Sequence, residues 1–233
     1  MTSPVRPWFV VFAVVLCPYV VNVAAQTPST SPVVSKAQWR DDLRYFAREL
    51  AKRHKNLYHA TTRAQFDAGV AALDGAIDLL QDHQIIIRLR QLAATVGDGH
   101  TGVQMPAYFK RYPISVYWFG RDLRVIGATR PYESALGSRV VKIGDLDIAE
   151  AAKRVSTCFP SAANENEWFV LNAGPAFLMR PEVLHALGVV GDLSRASFTL
   201  EDETGDVRTV DVEPVVLPPP VNGVVNLGLI EVA

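Results

Sequence analysis

Apolar side chains recur every three to four positions from Trp39 through Leu43 and Phe46 to Leu50, the spacing that puts them on one face of a helix. Ser35 and Gln38 stand at the spacing of a capping box, so this helix is expected to start at Ser35 and run to about His54. Thr62 with Gln65 repeats the signal ahead of Phe66, Val70, Leu73 and Ile77. A third helix is expected with Asp82 as its cap, carrying Ile85, Leu89, Leu92 and Val96 before Gly97 ends it. Three amphipathic helices with short connections imply a small helical bundle over residues 35–110.

The period then shortens to that of strands. Ile114 to Phe119 and Leu123 to Gly127 are β-rich runs flanking Gly120-Arg121-Asp122, and Arg139 to Ile143 with Leu146 to Ile148 flank Gly144-Asp145. Ala149 to Val155 reads as a short helix. Two more follow, one capped by Asn164 with Glu167 at its third position, the other opened by Pro181 and closed near Gly188. A last hairpin spans Ser197 to Val212 with its turn around Glu203-Thr204-Gly205. The order of elements predicts an α+β chain with a β-rich unit over residues 111–215.

Composition changes this picture at both ends. Arg6, the apolar run Trp8 to Val21 and Val23-Ala24-Ala25 have the layout of a signal peptide over residues 1–25, cleaved before Gln26. Pro18 and Asn22 interrupt the run, leaving it shorter than the ~20 apolar residues a spanning helix needs, so no stable membrane insertion is expected after cleavage. Leu16 before Cys17 is too large for a lipoprotein signal. Residues 26–34, rich in Pro, Ser and Thr, suit a disordered linker. Pro218-Pro219-Pro220 marks a second linker, and residues 216–233 are expected to be that linker and the start of a further unit.

The 233 residues carry 23 Lys and Arg against 24 acidic residues, and loss of Arg6 with the signal leaves a charge of about −2. No basic face is in prospect, and nucleic acid is not expected as a partner. Only Cys158 outlasts cleavage, so no intramolecular disulfide is expected and a small buried hydrophobe is its simplest role. The five histidines His54, His59, His83, His100 and His185 come without a His-Glu-x-x-His helix or a cysteine pair; no metal and no cofactor is expected. His54 and His59, at a helix end, are accounted for by the helix dipole.

Candidate chemistry concentrates at Val96-Gly97-Asp98-Gly99-His100-Thr101-Gly102-Val103. Two glycines let the backbone turn sharply, which would set His100 on a corner rather than on a helix face. A neutral imidazole there suits a general base, with Asp98 as a partner close in sequence. The same segment also reads as a tight turn in which Asp98 and Thr101 cap backbone groups. Spacing leaves both readings standing.

The helical front, the His54-Lys55-Asn56-Leu57-Tyr58-His59 segment and the Gly97-Asp98-Gly99-His100-Thr101 corner resemble the start of serine peptidases related to tail-specific (C-terminal processing) proteases and the tricorn core. In that family a PDZ-like domain follows the helices, and Pro113 to Val215 resembles it, notably at Gly137-Ser138-Arg139-Val140-Val141-Lys142-Ile143-Gly144. The resemblance implies a serine-type peptidase in which His100 is the catalytic base toward a serine of a later α/β domain, as in tricorn-like members. Tail-specific members use a serine-lysine pair of that later domain instead. This chain has Gly99 where some tricorn-like members carry a second active-site serine.

No Gly-x-Ser-x-Gly elbow occurs, and Ser115, Ser134, Ser138, Ser161 and Ser194 have no identifiable base. The signal-peptide layout implies an exported protein, periplasmic or extracellular, and the resemblance implies that it is a truncated or non-catalytic front part, inactive alone. The alternatives are a secreted peptide-binding module and a peptidase completed by a separately encoded catalytic domain. A PDZ-like unit implies peptide or protein C-termini as partners, bound by strand addition. Ala135-Leu136-Gly137 is the nearest match to a carboxylate loop; Trp118, Trp168, Phe169 and Phe177 are candidates for a groove or for core.

Overall fold

The computed structural model describes residues 33–160, 167–218 and 226–232. The signal-peptide segment, most of the linker after it and the Asn164 cap lie outside the described residues. The front of the fold is three helices, α1 (Lys36–Arg53), α2 (Arg63–Ala76) and α3 (Asp82–Ala94). Both capping boxes form: the hydroxyls of Ser35 and Thr62 accept from the backbone N–H of Gln38 and Gln65, whose side chains reach back to the cap residues.

The third helix starts differently from the expectation. Gln81 occupies the cap position, and Gln84 Oε1 accepts from its backbone N–H at 2.9 Å. Asp82 lies inside the helix, where its carboxylate accepts the indole N–H of Trp39 at 2.8 Å. Asp82 is therefore a tie between α3 and α1 rather than a cap. Ile85, Leu89 and Leu92 are buried as their spacing predicts, but Ile86 and Ile87 are buried too. A helix apolar on more than one side needs more than one partner; α3 packs on α2 and on α6 (Pro181–Ala186).

Among the described residues seven strands form one antiparallel sheet: β1 (Ile114–Phe119), β2 (Asp122–Ala128), β3 (Arg139–Ile143), β4 (Leu146–Asp147), β5 (Ala196–Glu201), β6 (Val207–Val212) and β7 (Ile230–Glu231). The order is β1-β2-β3-β5-β6, with β4 beside β3 and β7 beside β2. β1 and β2 join through Gly120-Arg121, since Phe119 already pairs with Asp122, and Gly120 takes the positive φ of 63° that such a short hairpin needs. Helices α4 (Ile148–Ser156) and α5 (Glu167–Leu178) pack against each other, α4 also against β3 and α5 against β1.

Two long-range closures were not apparent from the sequence pattern. Arg111 and Val215 exchange both backbone hydrogen bonds, at 3.0 and 2.8 Å, so the two ends of the β-rich stretch meet. After the prolines, Ile230 and Glu231 pair with Ala128 and Gly127 of β2, and Leu229 crosses Gly127 so closely that a Cβ there would sit 3.4 Å from it. Trp39, Leu43, Phe66 and Leu73 of the helical front belong to the same buried core as Ile114, Val140, Phe198 and Val212 of the sheet. The helices are thus held to the sheet by one shared apolar interior.

Candidate functional site

The corner after α3 is made by its own termination. Thr95, Val96 and Gly97 donate back to Leu92, Ala93 and Ala94, and Gly97, at φ 74°, turns the chain out of the helix. Val96 and Gly97 are buried and root the corner; Gly99 and His100 project into solvent. Further on, the guanidinium of Arg90 donates to the carbonyl of Val103 and lies over the rings of Phe177 and Phe159, 4.6 and 5.6 Å from their centroids. The segment between Gly97 and Val103 is therefore tied down at both ends.

Asp98 organises what lies between. Its Oδ1 accepts the backbone N–H of His100 at 3.0 Å and faces Nδ1 of the His100 ring at 3.5 Å. Its Oδ2 lies 2.9 Å from the hydroxyl of Thr101 and 3.1 Å from Nε2 of His54. The backbone N–H of His100 and the Thr101 hydroxyl hold the Asp98 carboxyl well below the usual carboxylate range against the opposing effect of burial, and His54 adds to this. Both sequence readings of Asp98 meet here, since it caps the turn and also faces the imidazole. The His100 side chain is fully exposed.

His54 reaches this site from 44 residues away in sequence. It ends α1, its backbone N–H donating to Leu50, and the chain then turns so that its ring is only 13% exposed. Its Nδ1 accepts the backbone N–H of Asn56 at 3.2 Å, which leaves the ring proton on Nε2, aimed at Asp98. The His59 ring lies parallel to it, 6.3 Å between centroids, and donates from Nδ1 to the Asn56 carbonyl at 2.8 Å. Helix-dipole reasoning missed this contact, which joins residues 44 apart in sequence.

The resulting arrangement is a carboxylate with a histidine on each side, one enclosed and one open to solvent. It sits where the turn after α1 meets the turn after α3. The fold has solved counterparts.

The fold is shared with part of CPAF, a chlamydial tail-specific-protease-like serine protease. Mature CPAF in complex with lactacystin superposes with a TM-score of 0.56 at 15% identity, over 80% of this chain and 36% of that one. Mature CPAF alone gives 0.55 at 15%, over 78% and 35%. A serine-to-alanine variant gives 0.56 at 16%, over 78% and 34%. This chain therefore spans just over a third of the CPAF chains. At such identity the likeness is one of fold. No protein-family model matches the chain, and no curated protein matches it in sequence.

The other candidates lie apart from the corner. Ser115 accepts from Arg111, and Ser194 and Ser197 bond to Asp192 and Asp211; none of these hydroxyls is hydrogen-bonded to a histidine. Ser138 is buried, the carbonyl of Ser134 accepts from Arg208, and Ser161 is outside the described residues. His83 and His185 meet each other between α3 and α6. Among the described residues no cluster of three His, Cys, Asp or Glu has a metal-holding arrangement. Cys158 is buried, and burial pushes its thiol up to about 11. Among the described residues no helix is long and apolar enough to cross a membrane.

Around Ala135-Leu136-Gly137 the backbone amides are already engaged. Leu136 donates to Glu133, Gly137 to Val125 and Ser138 to Ala135. A carboxylate loop needs such donors free. Phe177 packs on Phe159 while Phe169 is partly exposed; Trp118 is half-buried, and the Trp168 side chain is outside the described residues. A cleft of about 820 Å³ opens beside Gly137, bounded by Phe119, Arg124, Ile126 and Val232 on one side and the Glu201 to Gly205 turn on the other.

Proposed function

We propose that this chain is the exported front part of a serine-peptidase-like protein of the tail-specific or tricorn-like kind, with its helices as the bundle and residues 111–215 as the PDZ-like unit. In this reading His100 supplies the general base. The observation that carries it is the exposed imidazole with the Asp98 carboxylate 3.5 Å from Nδ1. A carboxylate on that side favours the proton on Nδ1 and leaves the Nε2 lone pair open to solvent. Nε2 would take the proton of a serine hydroxyl as its oxygen attacks a peptide carbonyl, and return it to the departing amine. The positive ring formed in between would be offset by Asp98.

The serine belongs, in this proposal, to polypeptide outside these 233 residues, in the same protein or a separately encoded one. The 233-residue chain should then neither hydrolyse peptides nor react with a fluorophosphonate probe. Labelling of the chain alone would mean that a serine within it is activated, against the proposal. Joined to an α/β segment carrying the serine, the assembly should cleave peptides, and His100→Ala should abolish that cleavage. Full cleavage by the His100→Ala assembly would move the base elsewhere and favour the serine-lysine chemistry.

The same proposal includes export, with the mature chain starting at Gln26 in the periplasm or outside the cell. Mass spectrometry of the exported protein reads this directly, and an intact Met1 terminus would contradict it. A second reading, a secreted peptide-binding module, is favoured by the cleft beside Gly137. Titration of the 233-residue chain with labelled peptides that end in a free carboxylate tests it, and absence of binding would set it aside.

A further inference from the structure

We infer that His54 is a positioning residue for His100, acting through the Asp98 carboxylate that lies between them. The inference rests on the reading of His100 as a base and adds a residue to that site. Its ground is how the two oxygens of Asp98 are divided. Oδ2 receives Nε2 of His54 and the hydroxyl of Thr101, at 3.1 and 2.9 Å. With that oxygen held from two directions, the carboxylate cannot rotate freely about its Cβ–Cγ bond, and Oδ1 is left facing the backbone N–H and the ring Nδ1 of His100.

Of the two residues on Oδ2, His54 is the one rooted in another element. Thr101 belongs to the same exposed corner as Asp98 and would move with it. His54 is set by the end of α1, by the Asn56 amide on its Nδ1 and by the parallel ring of His59. The Asn56 amide also selects which nitrogen carries the proton, so that His54 donates to Asp98 and does not compete with it as an acceptor. A corner resting on its own turn bonds alone would let Asp98 follow the fluctuations of the loop; a donor fixed on α1 ties it to the core. The arrangement is the support that a site on a loop requires when its own residues cannot hold themselves in place.

The test uses the 233-residue protein and needs no serine. Proton–nitrogen NMR of the histidine rings, at a pH of about 8 where imidazoles are neutral, reads which nitrogen of His100 is protonated. In the native protein the His100 proton is expected on Nδ1, whereas an unrestrained histidine in water favours Nε2. His54→Phe retains a ring beside His59 without a donor, and His54→Ala removes the ring; in both, the His100 proton should shift toward Nε2. His54→Gln places an amide N–H at about the reach of Nε2 and should restore the native tautomer. Thermal melts run in parallel identify any variant that does not fold, in which case the folded ones decide.

A native tautomer retained in His54→Phe, or lost in a folded His54→Gln, would overturn the inference, as would a native His100 with no preference for Nδ1. A merely structural His54 would lower the melting temperature without moving the His100 tautomer. Failure of the peptidase reading is a separate event: it would appear as unchanged cleavage by the His100→Ala assembly, and it leaves the tautomer measurement as it stands.

Discussion

His83 and His185 face each other across the contact between α3 and α6, with Nε2 of one 2.9 Å from Nδ1 of the other. At that distance one ring donates and the other accepts, so the pair is satisfied when both are neutral. Burial, and after it the neighbouring His185, lowers His83 from 6.5 to about 4, with Asp82 opposing. Folding therefore favours the neutral ring. The stability this implies is complete above pH 6.5 and is lost as pH falls toward about 4, where the folded state at last accepts the proton.

The expected outcome is a loss on the order of 2 kcal/mol between those pH values, read from denaturant melts as a function of pH. His83→Gln, which keeps a hydrogen-bonding group without the charge, should flatten that slope. A variant with an unchanged slope would show that acid acts elsewhere.

Asp98 gives a second acid transition at lower pH. Its carboxyl is depressed, so its contribution is present above the usual carboxylate range and disappears as pH falls below it. Asp98→Ala should destabilise the protein by about 1–3 kcal/mol at neutral pH, because the His54 and Thr101 donors lose their acceptor. His100→Ala should leave the denaturation midpoint unchanged, since the side chain is fully exposed. A clear loss of stability in His100→Ala would mark it as a structural residue.

Trp39 and Asp82 give a sharper case of a polar tie inside the core. The indole is 8% exposed and its N–H ends on the Asp82 carboxylate at 2.8 Å. Asp82→Ala should cost about 1–3 kcal/mol by leaving a buried donor unpaired. Asp82→Asn, which keeps a carbonyl acceptor, should recover most of it. Equal losses in both would mean that the negative charge in the first turn of α3 matters more than the hydrogen bond.

Gly144 and Gly120 both hold positive φ, 58° and 63°, yet substitution should separate them. A Cβ at Gly144 would stand 2.7 Å from the Val189 carbonyl oxygen, while one at Gly120 meets nothing within 4 Å. Gly120→Ala should cost only the backbone penalty, about 1–2 kcal/mol. Gly144→Ala adds a collision with backbone that has no rotamer to change, for a total of roughly 2–4 kcal/mol. Similar melting temperatures for the two variants would show that the strand-to-loop contact at Val189 yields easily.

Much of the local structure could be read directly because its causes are local. Ser35 with Gln38 and Thr62 with Gln65 each satisfy their own orphan amides within four residues, so the helix starts follow from the residues alone. The Gly120 hairpin and the turn at Gly205 follow in the same way from glycine's access to positive φ. The mixed α+β character follows from the change of period at Ile114. Asp82 misled because aspartate caps and aspartate tie points look alike until the partner, Trp39, is in place.

The sequence by itself determined where the helices start, which apolar stripe each carries and where the chain turns. Only the tertiary structure decided what each buried face would meet. Periodicity marks Ile85 and Leu92 as core, but the burial of Ile86 and Ile87 depends on α6, about a hundred residues later in the chain. The pairing of β3 with β5 and of β7 with β2 depends on fit between surfaces that no short stretch contains. The candidate site is the plainest instance. The Gly97 to Gly102 corner and its histidine were legible, whereas the contact of His54 with Asp98 exists only because α1 ends beside the turn that ends α3. A hydrogen bond between distant residues leaves no periodic mark; it is set by the packing of the helices that carry them.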